Sequence, residues 1–414
     1  MSREVTRVRR QLGVIGRSRG FRLLFFATLG STIGTLLATV ALVVDVKDRT
    51  GSGPWVGALL LAQWLPTVIV GLFFGPLLDR LSRKRTMVAA DVIRAAIFCA
   101  LPFVDSAAAI VGLAAVVGLA SGFFRPASYA GLPNLVDEDD LPAATSVLQT
   151  AENVSWAGAP VAGGLLVAAA GSHPAYWLNA ASFVLSAVLL SAIPGRLLQV
   201  AKAESRGHLR DLHDGLVFVL RSGPLRAVLV AWTLALPAIA AINTTEVFLA
   251  KDSLGAGDFG YGLLFGSIGL GLAIGGLAAG TILEQRSIAV VYGSAILVNA
   301  IAFGLAAIAP NIWIAAGCCA LGGIGNGATV VCNSLLVQRG APDELRGRAF
   351  TVIMSINYLA FAGGFVLGGL VDDWFGPRWV WGIAAIVLAC AGLAGYMLAR
   401  GVPEPRRAEP EPAV

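Results

Sequence analysis

Three ionisable residues, Arg125, Glu152 and Glu246, lie inside long apolar segments of this 414-residue chain. If these segments span a membrane, each charge costs about 2.5–3.5 kcal/mol on insertion scales and requires a physical reason. Arg125 lies near one end of its segment, and Glu152 lies about 15 Å from the corresponding end of the next segment by helical rise. Because consecutive spanning helices are antiparallel, we expect these two side chains to reach similar depths and pair.

A pair formed by Arg125 and Glu152 has two possible roles. A glutamate whose charge is balanced by arginine in one conformation and desolvated in another binds a proton with different affinity in the two states, which couples a proton gradient to the conformational change. Alternatively, the pair is static and only satisfies both buried charges. The residues themselves leave both roles open.

Glu246 ends the polar run Asn243-Thr244-Thr245-Glu246, which we expect in the outer half of its helix, facing a cavity. Such a run can bind a substrate or a proton, or it can only hydrogen-bond a neighbouring helix. Asn243 and Glu246 are therefore candidates for substrate binding or proton coupling.

The composition identifies the chain as a membrane protein. It is 57% hydrophobic and 13% charged, with a formal net charge of +5, whereas soluble proteins carry about 25% charged residues. The mean hydropathy is +0.77. The apolar runs are long and unbroken, unlike the alternating segments of about 10 residues in outer-membrane barrels.

The apolar runs predict an all-α membrane protein with twelve transmembrane helices in two six-helix bundles. The predicted parts are a cytoplasmic tail at 1–20, a first bundle at 21–195, a cytoplasmic linker at 196–224, a second bundle at 225–399 and a cytoplasmic tail at 400–414. The predicted helices lie near 21–45, 55–78, 86–104, 107–132, 142–170, 174–195, 225–250, 258–283, 287–309, 312–337, 348–371 and 377–399.

Lysine and arginine placement predicts the orientation, because cationic loops are retained in the cytoplasm. Most of the 30 lysines and arginines fall in segments that share one side of the membrane when both termini are cytoplasmic. The basic character therefore reflects topology, and we expect no nucleic-acid partner.

The sequence shows no sign of an enzyme, a cofactor or a metal site. The five cysteines lie in apolar runs without zinc-site spacing. No phosphate-binding loop of the G-x-x-x-x-G-K-[ST] type, no H-E-x-x-H and no G-x-S-x-G occurs. We expect energy to come from an ion gradient or from the solute's own gradient.

An internal repeat decides the expected architecture. Five positions from Lys47 to Trp55 recur 204 residues later, from Lys251 to Phe259, and include the Lys-Asp pair and two glycines. Parallel repeats of this kind enclose a cavity between the halves near the membrane midplane. Two similar bundles can rock against each other and expose that cavity to either side, which is a mechanism of transport. The alternative is a duplicated membrane protein that moves no solute.

The segment from Gly75 to Arg85 reads G-P-L-L-D-R-L-S-R-K-R. It resembles the G-x-L-x-D-R-x-G-R-K signature of the major facilitator superfamily, with Ser82 in place of the usual glycine. The stretches Gly122-Phe123-Phe124-Arg125-Pro126-Ala127 and Leu132-Pro133-Asn134-Leu135-Val136 are similar to those of bacterial drug, macrolide and siderophore exporters. The resemblance covers essentially the whole chain.

The signature indicates a gate on the cytoplasmic side. A turn with one acid and several cations can close by bonding the helix ends of the neighbouring bundle. We expect Gly75, Asp79 and Arg80 to form such a latch. Arg83 belongs to the same motif, although its positive charge can instead serve simply to hold the loop inside. Asp91 is a possible partner of Asp79, although its spacing from Arg94 also predicts a local pair.

A second motif, Gly158-Ala159-Pro160-Val161-Ala162-Gly163-Gly164, resembles the G-P-x-x-G-G antiporter motif of exporters in this superfamily, with Ala159 in place of a glycine. Small residues allow close backbone approach and proline bends the helix. Gly158, Pro160, Gly163 and Gly164 therefore form either a mobile seal or ordinary tight packing.

Together these observations predict a monomeric secondary transporter of the bacterial plasma membrane that exports a hydrophobic or amphipathic small molecule in exchange for protons. Proton-coupled uptake of a nutrient and a non-transporting membrane sensor or enzyme are the alternatives. The cavity walls should be largely apolar, with candidate stacking surfaces at Trp64, Phe124, Trp156, Trp232 and Phe361.

Overall fold

The computed structural model describes residues 13–74, 81–198, 217–341 and 343–401. In these ranges twelve helices are long and apolar enough to cross a membrane, and no strand occurs. They are α1 Arg19–Thr50, α2 Gly53–Phe73, α3 Arg83–Ala100, α4 Ala107–Gly131, α5 Leu141–Ala170, α6 Ser172–Ser191, α7 Gly223–Phe248, α8 Gly257–Gln285, α9 Ile288–Ala307, α10 Ile312–Gly340, α11 Asp343–Phe375 and α12 Pro377–Ala399.

The predicted number of spanning helices is confirmed, and only their ends differ. Helix α6 ends at Ser191 rather than near 195, because Pro194 cannot continue it. Helix α11 begins at Asp343 and ends at Phe375, beyond the predicted 348–371 at both ends. Its terminal turns contain charged residues, which a search for apolar runs leaves out.

Three of the four glycines of the internal repeat, Gly51, Gly255 and Gly257, adopt the left-handed region at or between helix ends. Gly51 has φ 61 and its N–H donates to the carbonyl of Lys47, which closes α1. Its repeat partner Gly255 has φ 62, in the connection between α7 and α8. Glycine adopts this conformation without a steric penalty, so the repeat preserves the geometry of the two connections.

The two halves of the chain pack in the same way. In the first half, the N-lobe (α1–α6), α1 packs against α5 and α6, α2 against α4, and α3 against α4 and α6. In the second half, the C-lobe (α7–α12), α7 packs against α11 and α12, α8 against α10, and α9 against α10 and α12. Each pairing recurs six helices later, which is the structural form of the sequence repeat.

The lobes meet mainly through two symmetry-related helix pairs, α2 with α11 and α5 with α8. Glycines lie at both contacts. A β-carbon at Gly53 would lie 3.0 Å from the Cα atom of Gly369, and one at Gly262 would lie 2.8 Å from the Cα atom of Gly164. Backbones can approach this closely only without side chains.

These contacts lie toward the end of the helices that contains residues 45–53 and 249–258, which we call the sealed end. Further from it, the lobes separate. Gly276 and Gly280 of α8 have no neighbouring atom within 4 Å of the position of a β-carbon. We call the opposite end, where α3 begins and α10 ends, the open end.

Candidate functional site

The side chains of Arg125 and Glu152 lie together on the N-lobe. Arg125 Nη2 lies 3.8 Å from Glu152 Oε2, and the side chains are 68% and 17% exposed, respectively. A separation of 3.8 Å exceeds the 2.7–2.9 Å typical of a charge-assisted hydrogen bond. The structure thus brings the two residues together in a loose ion pair whose arginine is mostly exposed.

Tyr129 holds Glu152 more closely than Arg125 does. Its hydroxyl lies 3.1 Å from Oε1 and 3.2 Å from Oε2 of Glu152. Tyr129 follows Arg125 by one helical turn, so both project from the same face of α4. Sequence reasoning missed this residue, although its spacing from Arg125 was visible.

Asp91 is buried and pairs with Arg94 by an ion pair between Oδ1 and Nη2. The guanidinium also lies 4.4 Å from the ring centroids of Phe124 and Phe183, within the range of a cation–π contact. The predicted local pair is confirmed. As a gate partner for Asp79 the buried Asp91 is poorly placed, because it points into the packing of α3, α4 and α6.

Substituting Asp91 by asparagine should destabilise the fold by about 3 kcal/mol, because the buried guanidinium of Arg94 would lose its counter-charge. Thermal unfolding of the purified protein in detergent measures the effect. Asp105→Asn is the control, since that carboxylate is exposed and the change should leave stability unaltered. A stable Asp91→Asn variant that has lost only activity would instead favour the gating role.

Of the other residues of the predicted gate, the structure describes only Arg83. Gly75, Asp79 and Arg80 lie outside the described residues. Arg83 is the first residue of α3, at the open end, where Ser82 caps the helix by accepting from the N–H of Arg85. The gating role of these residues therefore stays a prediction.

Glu246 lies inside the C-lobe rather than at a cavity, so this part of our expectation was wrong. It is 2% exposed, and its neighbours include Tyr261 of α8 and Cys319 of α10. In the described part of the chain its Oε1 has no hydrogen-bond partner. A negative charge at this position would lack compensation.

Asn243 lies three residues before Glu246 on α7 but is less deeply buried. It is half-buried, and it follows Trp232 by eleven residues and Leu236 by seven, spacings that return to nearly the same face of a helix. Those two residues line the cavity between the lobes that is described below. Asn243 thus continues the cavity-facing stripe of α7 toward the sealed end.

The antiporter-like motif divides its glycines between two neighbours. A β-carbon at Gly163 would lie 2.9 Å from the carbonyl oxygen of Leu37 in α1, whereas one at Gly164 would meet Gly262 of the other lobe. The Pro160 carbonyl also contacts Gly262, and Gly158 has no neighbour within 4 Å. The motif therefore packs α5 against both its own lobe and the opposite lobe.

The repeated Lys-Asp pairs form reciprocal bridges across the sealed end. Lys47 Nζ lies 2.6 Å from Asp252, and Lys251 Nζ lies 2.7 Å from Asp48 and 2.6 Å from Asp258. Both interlobe aspartates are half-exposed, and such ion pairs contribute only about 0–1 kcal/mol each. The bridges therefore set the register of the lobes, while the glycine contacts provide the close packing.

A further interlobe contact at the sealed end was missed by sequence reasoning. The N–H of Gly53 donates to Asp373 at 2.7 Å, and the Ser52 hydroxyl donates to the same carboxylate at 3.3 Å. Asp373 of α11 thus satisfies the N-terminus of α2, a position that favours a negative charge. No local pattern links residues so distant in the chain.

A cavity of about 370 Å³ lies between the lobes. All of its lining residues except Trp64 belong to the C-lobe, and no charged residue is among them; they are Trp64, Val228, Trp232, Leu236, Val330, Asn333, Ser334, Val337, Met354, Tyr358 and Phe361. A concave, mostly apolar site with a few polar groups is typical of small-molecule binding.

The predicted stacking surfaces fall into two groups. Trp64, Trp232 and Phe361 line the cavity, and the rings of Trp64 and Phe361 lie 5.4 Å apart edge to face. The other two are not at the cavity. Phe124 packs against Arg94, and Trp156 packs against Phe265 across the lobe boundary at 5.8 Å. Helical position alone did not distinguish these surroundings.

The chain matches known transporters over most of its length. A sequence profile described as Major Facilitator Superfamily matches residues 24–365 and 230–414. Macrolide efflux protein A of Streptococcus pyogenes is 24% identical over 89% of this chain and 93% of its own length. Multidrug efflux pump Tap of Mycolicibacterium fortuitum is 26% identical, covering 91% and 95%.

The same fold occurs in solved structures. A bacterial homologue of the iron transporter ferroportin, in an inward-facing state, superposes with a TM-score of 0.73 at 15% identity, over 92% of this chain and 99% of that one. Two repeated six-helix lobes around a central cavity, together with the profile match, show that this chain belongs to the Major Facilitator Superfamily of membrane transporters.

Proposed function

We propose that the protein exports hydrophobic or amphipathic small molecules from the bacterial cytoplasm in exchange for protons. The observation that carries this proposal is the aromatic, uncharged cavity between the lobes, with an ion pair exposed on the N-lobe. The cavity would hold the solute and the pair would respond to protons. Because the cavity is complete within one chain, a monomer is sufficient for transport.

The distribution of basic residues supports an orientation with the open end in the cytoplasm. Most of the described lysines and arginines, including Arg83, Lys84, Arg286 and Arg339, lie at or near the open end, whereas Lys47, Arg49, Lys251 and Arg378 lie at the sealed end. In this orientation, in the plasma membrane, the structure is inward-facing. The Lys-Asp bridges then close the extracellular side.

The ion pair supports proton coupling through exchange of partners. In the present state Glu152 is held by Tyr129 and loosely by Arg125. Protonation of Glu152 would neutralise its negative charge, so Arg125 would lose its ion-pair partner. Glu246 is a second candidate, because among the described residues its carboxyl group has no ion-pair partner and it lies less than two helical turns from Lys251 at the sealed end.

The relatives support the outward direction. Two of them are described as efflux proteins, one for macrolides and one for multiple drugs. A largely apolar cavity suits such compounds better than the polar solutes that nutrient uptake requires.

Inverted membrane vesicles from an efflux-deficient host test the direction and the energy source. When respiration energises them, vesicles containing the protein should accumulate radiolabelled amphipathic antimicrobials, including a macrolide, above vesicles without it. Nigericin, which collapses the pH gradient, should abolish the difference. Loss of the compounds from energised vesicles would contradict export and indicate uptake by symport.

A further inference from the structure

The cavity contains one buried hydrogen-bond donor without a partner. Asn333 of α10 lines the cavity and is 6% exposed. Its Oδ1 accepts a hydrogen bond from the Tyr292 hydroxyl at 2.8 Å, whereas its Nδ2 has no partner among the described residues. An unsatisfied buried donor costs about 1–3 kcal/mol, so its retention requires an explanation.

Tyr292 determines which way the amide points. The tyrosine is fully buried in α9 and does not line the cavity. Its hydroxyl hydrogen requires an acceptor, which only the oxygen of the amide can supply, so the NH₂ group is left for another partner. Tyr292 is therefore a positioning residue for Asn333.

The walls around Asn333 restrict the chemistry of that partner. Trp64, Trp232, Tyr358 and Phe361 offer aromatic faces and edges, and among the residues whose side chains the structure describes no lysine, arginine, aspartate, glutamate or histidine lines the cavity. A charged ligand would lose its hydration without a compensating charge. An uncharged ligand with an aromatic ring and an acceptor oxygen would satisfy both the walls and the amide.

We propose that Asn333 determines substrate specificity by donating a hydrogen bond to a carbonyl or similar acceptor oxygen of an uncharged aromatic substrate. This inference rests on the proposed function and names the substrate class. The aromatic walls bind the ring, and the amide selects molecules with the acceptor. A site built around such a donor discriminates against analogues that lack the acceptor.

Two probes of the same shape test the donor. Fluorenone and fluorene are both uncharged tricyclic molecules, and only fluorenone has a carbonyl oxygen. Equilibrium dialysis against the purified full chain in detergent, with partition into empty micelles subtracted, gives both affinities. We expect the wild type to bind fluorenone about tenfold more tightly than fluorene, which corresponds to one hydrogen bond.

Two variants of Asn333 should abolish this preference. Asn333→Leu removes the donor with little change in volume, and Asn333→Val removes it with a smaller apolar side chain that likewise cannot be protonated. Both should bring the affinity ratio close to one by weakening fluorenone binding alone. Trp232→Ala should weaken both probes, which would locate them in the cavity.

Asn357→Leu is the matched control. Asn357 of α11 also accepts a hydrogen bond, from Thr233 at 3.1 Å, and also has an unpartnered Nδ2, but it is fully buried and does not line the cavity. The variant should keep the tenfold preference. Thermal unfolding verifies that each variant is folded.

Several results would overturn the inference. These are an affinity ratio near one in the wild type, no binding of either probe, and a preference that survives both Asn333 variants. The result of this binding assay depends neither on a proton gradient nor on the direction of transport. A failure here with proton-driven export intact in vesicles would reject only the inference, whereas a donor-dependent preference without export would reject only the proposed function.

Discussion

Replacing Gly262 by leucine should lower transport about 100-fold while leaving both lobes folded. In the present state a side chain at this position would meet the Pro160 carbonyl and the backbone of Gly164 in the opposite lobe. Overpacking of a close contact costs about 1–3 kcal/mol. In the cycle that we propose, this contact breaks when the sealed end opens, so the upper end of this cost shifts the equilibrium about 100-fold toward the state in which the sealed end is open.

Vesicle transport measures the loss, and a distance between the lobes identifies its cause. Spin labels on cysteines at Phe103 and Trp374, both exposed near the sealed end, should move apart in the Gly262→Leu variant. Gly382→Leu adds the same side chain to α12, which packs against α7, α9 and α11 of its own lobe, at a position where no neighbour lies within 4 Å, and it should transport normally. Equal loss in both variants, or an unchanged distance, would show that the interlobe contact is not the cause.

The sequence repeat contains the residues that bridge the lobes at the sealed end, whereas the motif resemblance points to the opposite end. Lys47, Asp48, Lys251 and Asp252 stood out only because they recur, and the structure shows why they do. In a two-fold arrangement, a Lys-Asp sequence at the end of α1 meets its own copy at the end of α7, so that each lysine pairs with the other aspartate. The pattern could be found from sequence, although the pairing required the fold.

The site was predictable where neighbours lie close in the chain or share a depth. Arg125 and Glu152 come together because antiparallel helices return to the same depth. Glu246 was misplaced because a polar run on an apolar helix does not reveal which face meets another helix. Asn333 was missed because its significance comes from Tyr292 in α9, and no spacing in the sequence indicates an unsatisfied amide.

The proposed function assigns separate tasks to the two lobes. The cavity belongs mainly to the C-lobe, whereas the Arg125–Glu152 pair belongs to the N-lobe. A transporter arranged in this way can change its solute by altering α7, α10 and α11 without altering the response to protons. The interlobe contacts of α2 with α11 and α5 with α8 would then couple the two tasks.

Glu152→Gln should lower gradient-driven accumulation of substrate by between about 5-fold and 150-fold, the range of a typical coupling free energy. Glutamine keeps the shape of the side chain and can still bond the Tyr129 hydroxyl, but it cannot gain or lose a proton. Exchange of labelled for unlabelled substrate needs no proton release, so it should continue at the wild-type rate. Vesicle accumulation and exchange measure the two effects in the same preparation.

The contrast between gradient-driven accumulation and substrate exchange decides whether Glu152 couples transport to protons or only forms a static pair with Arg125. If Glu152 only balanced Arg125, its substitution would lower the unfolding temperature and reduce accumulation and exchange together. Glu284→Gln is the control, because that glutamate is exposed near the open end of α8 and should affect neither mode. Accumulation that survives in the variant would transfer the coupling role to another carboxyl group, with Glu246 the next to substitute.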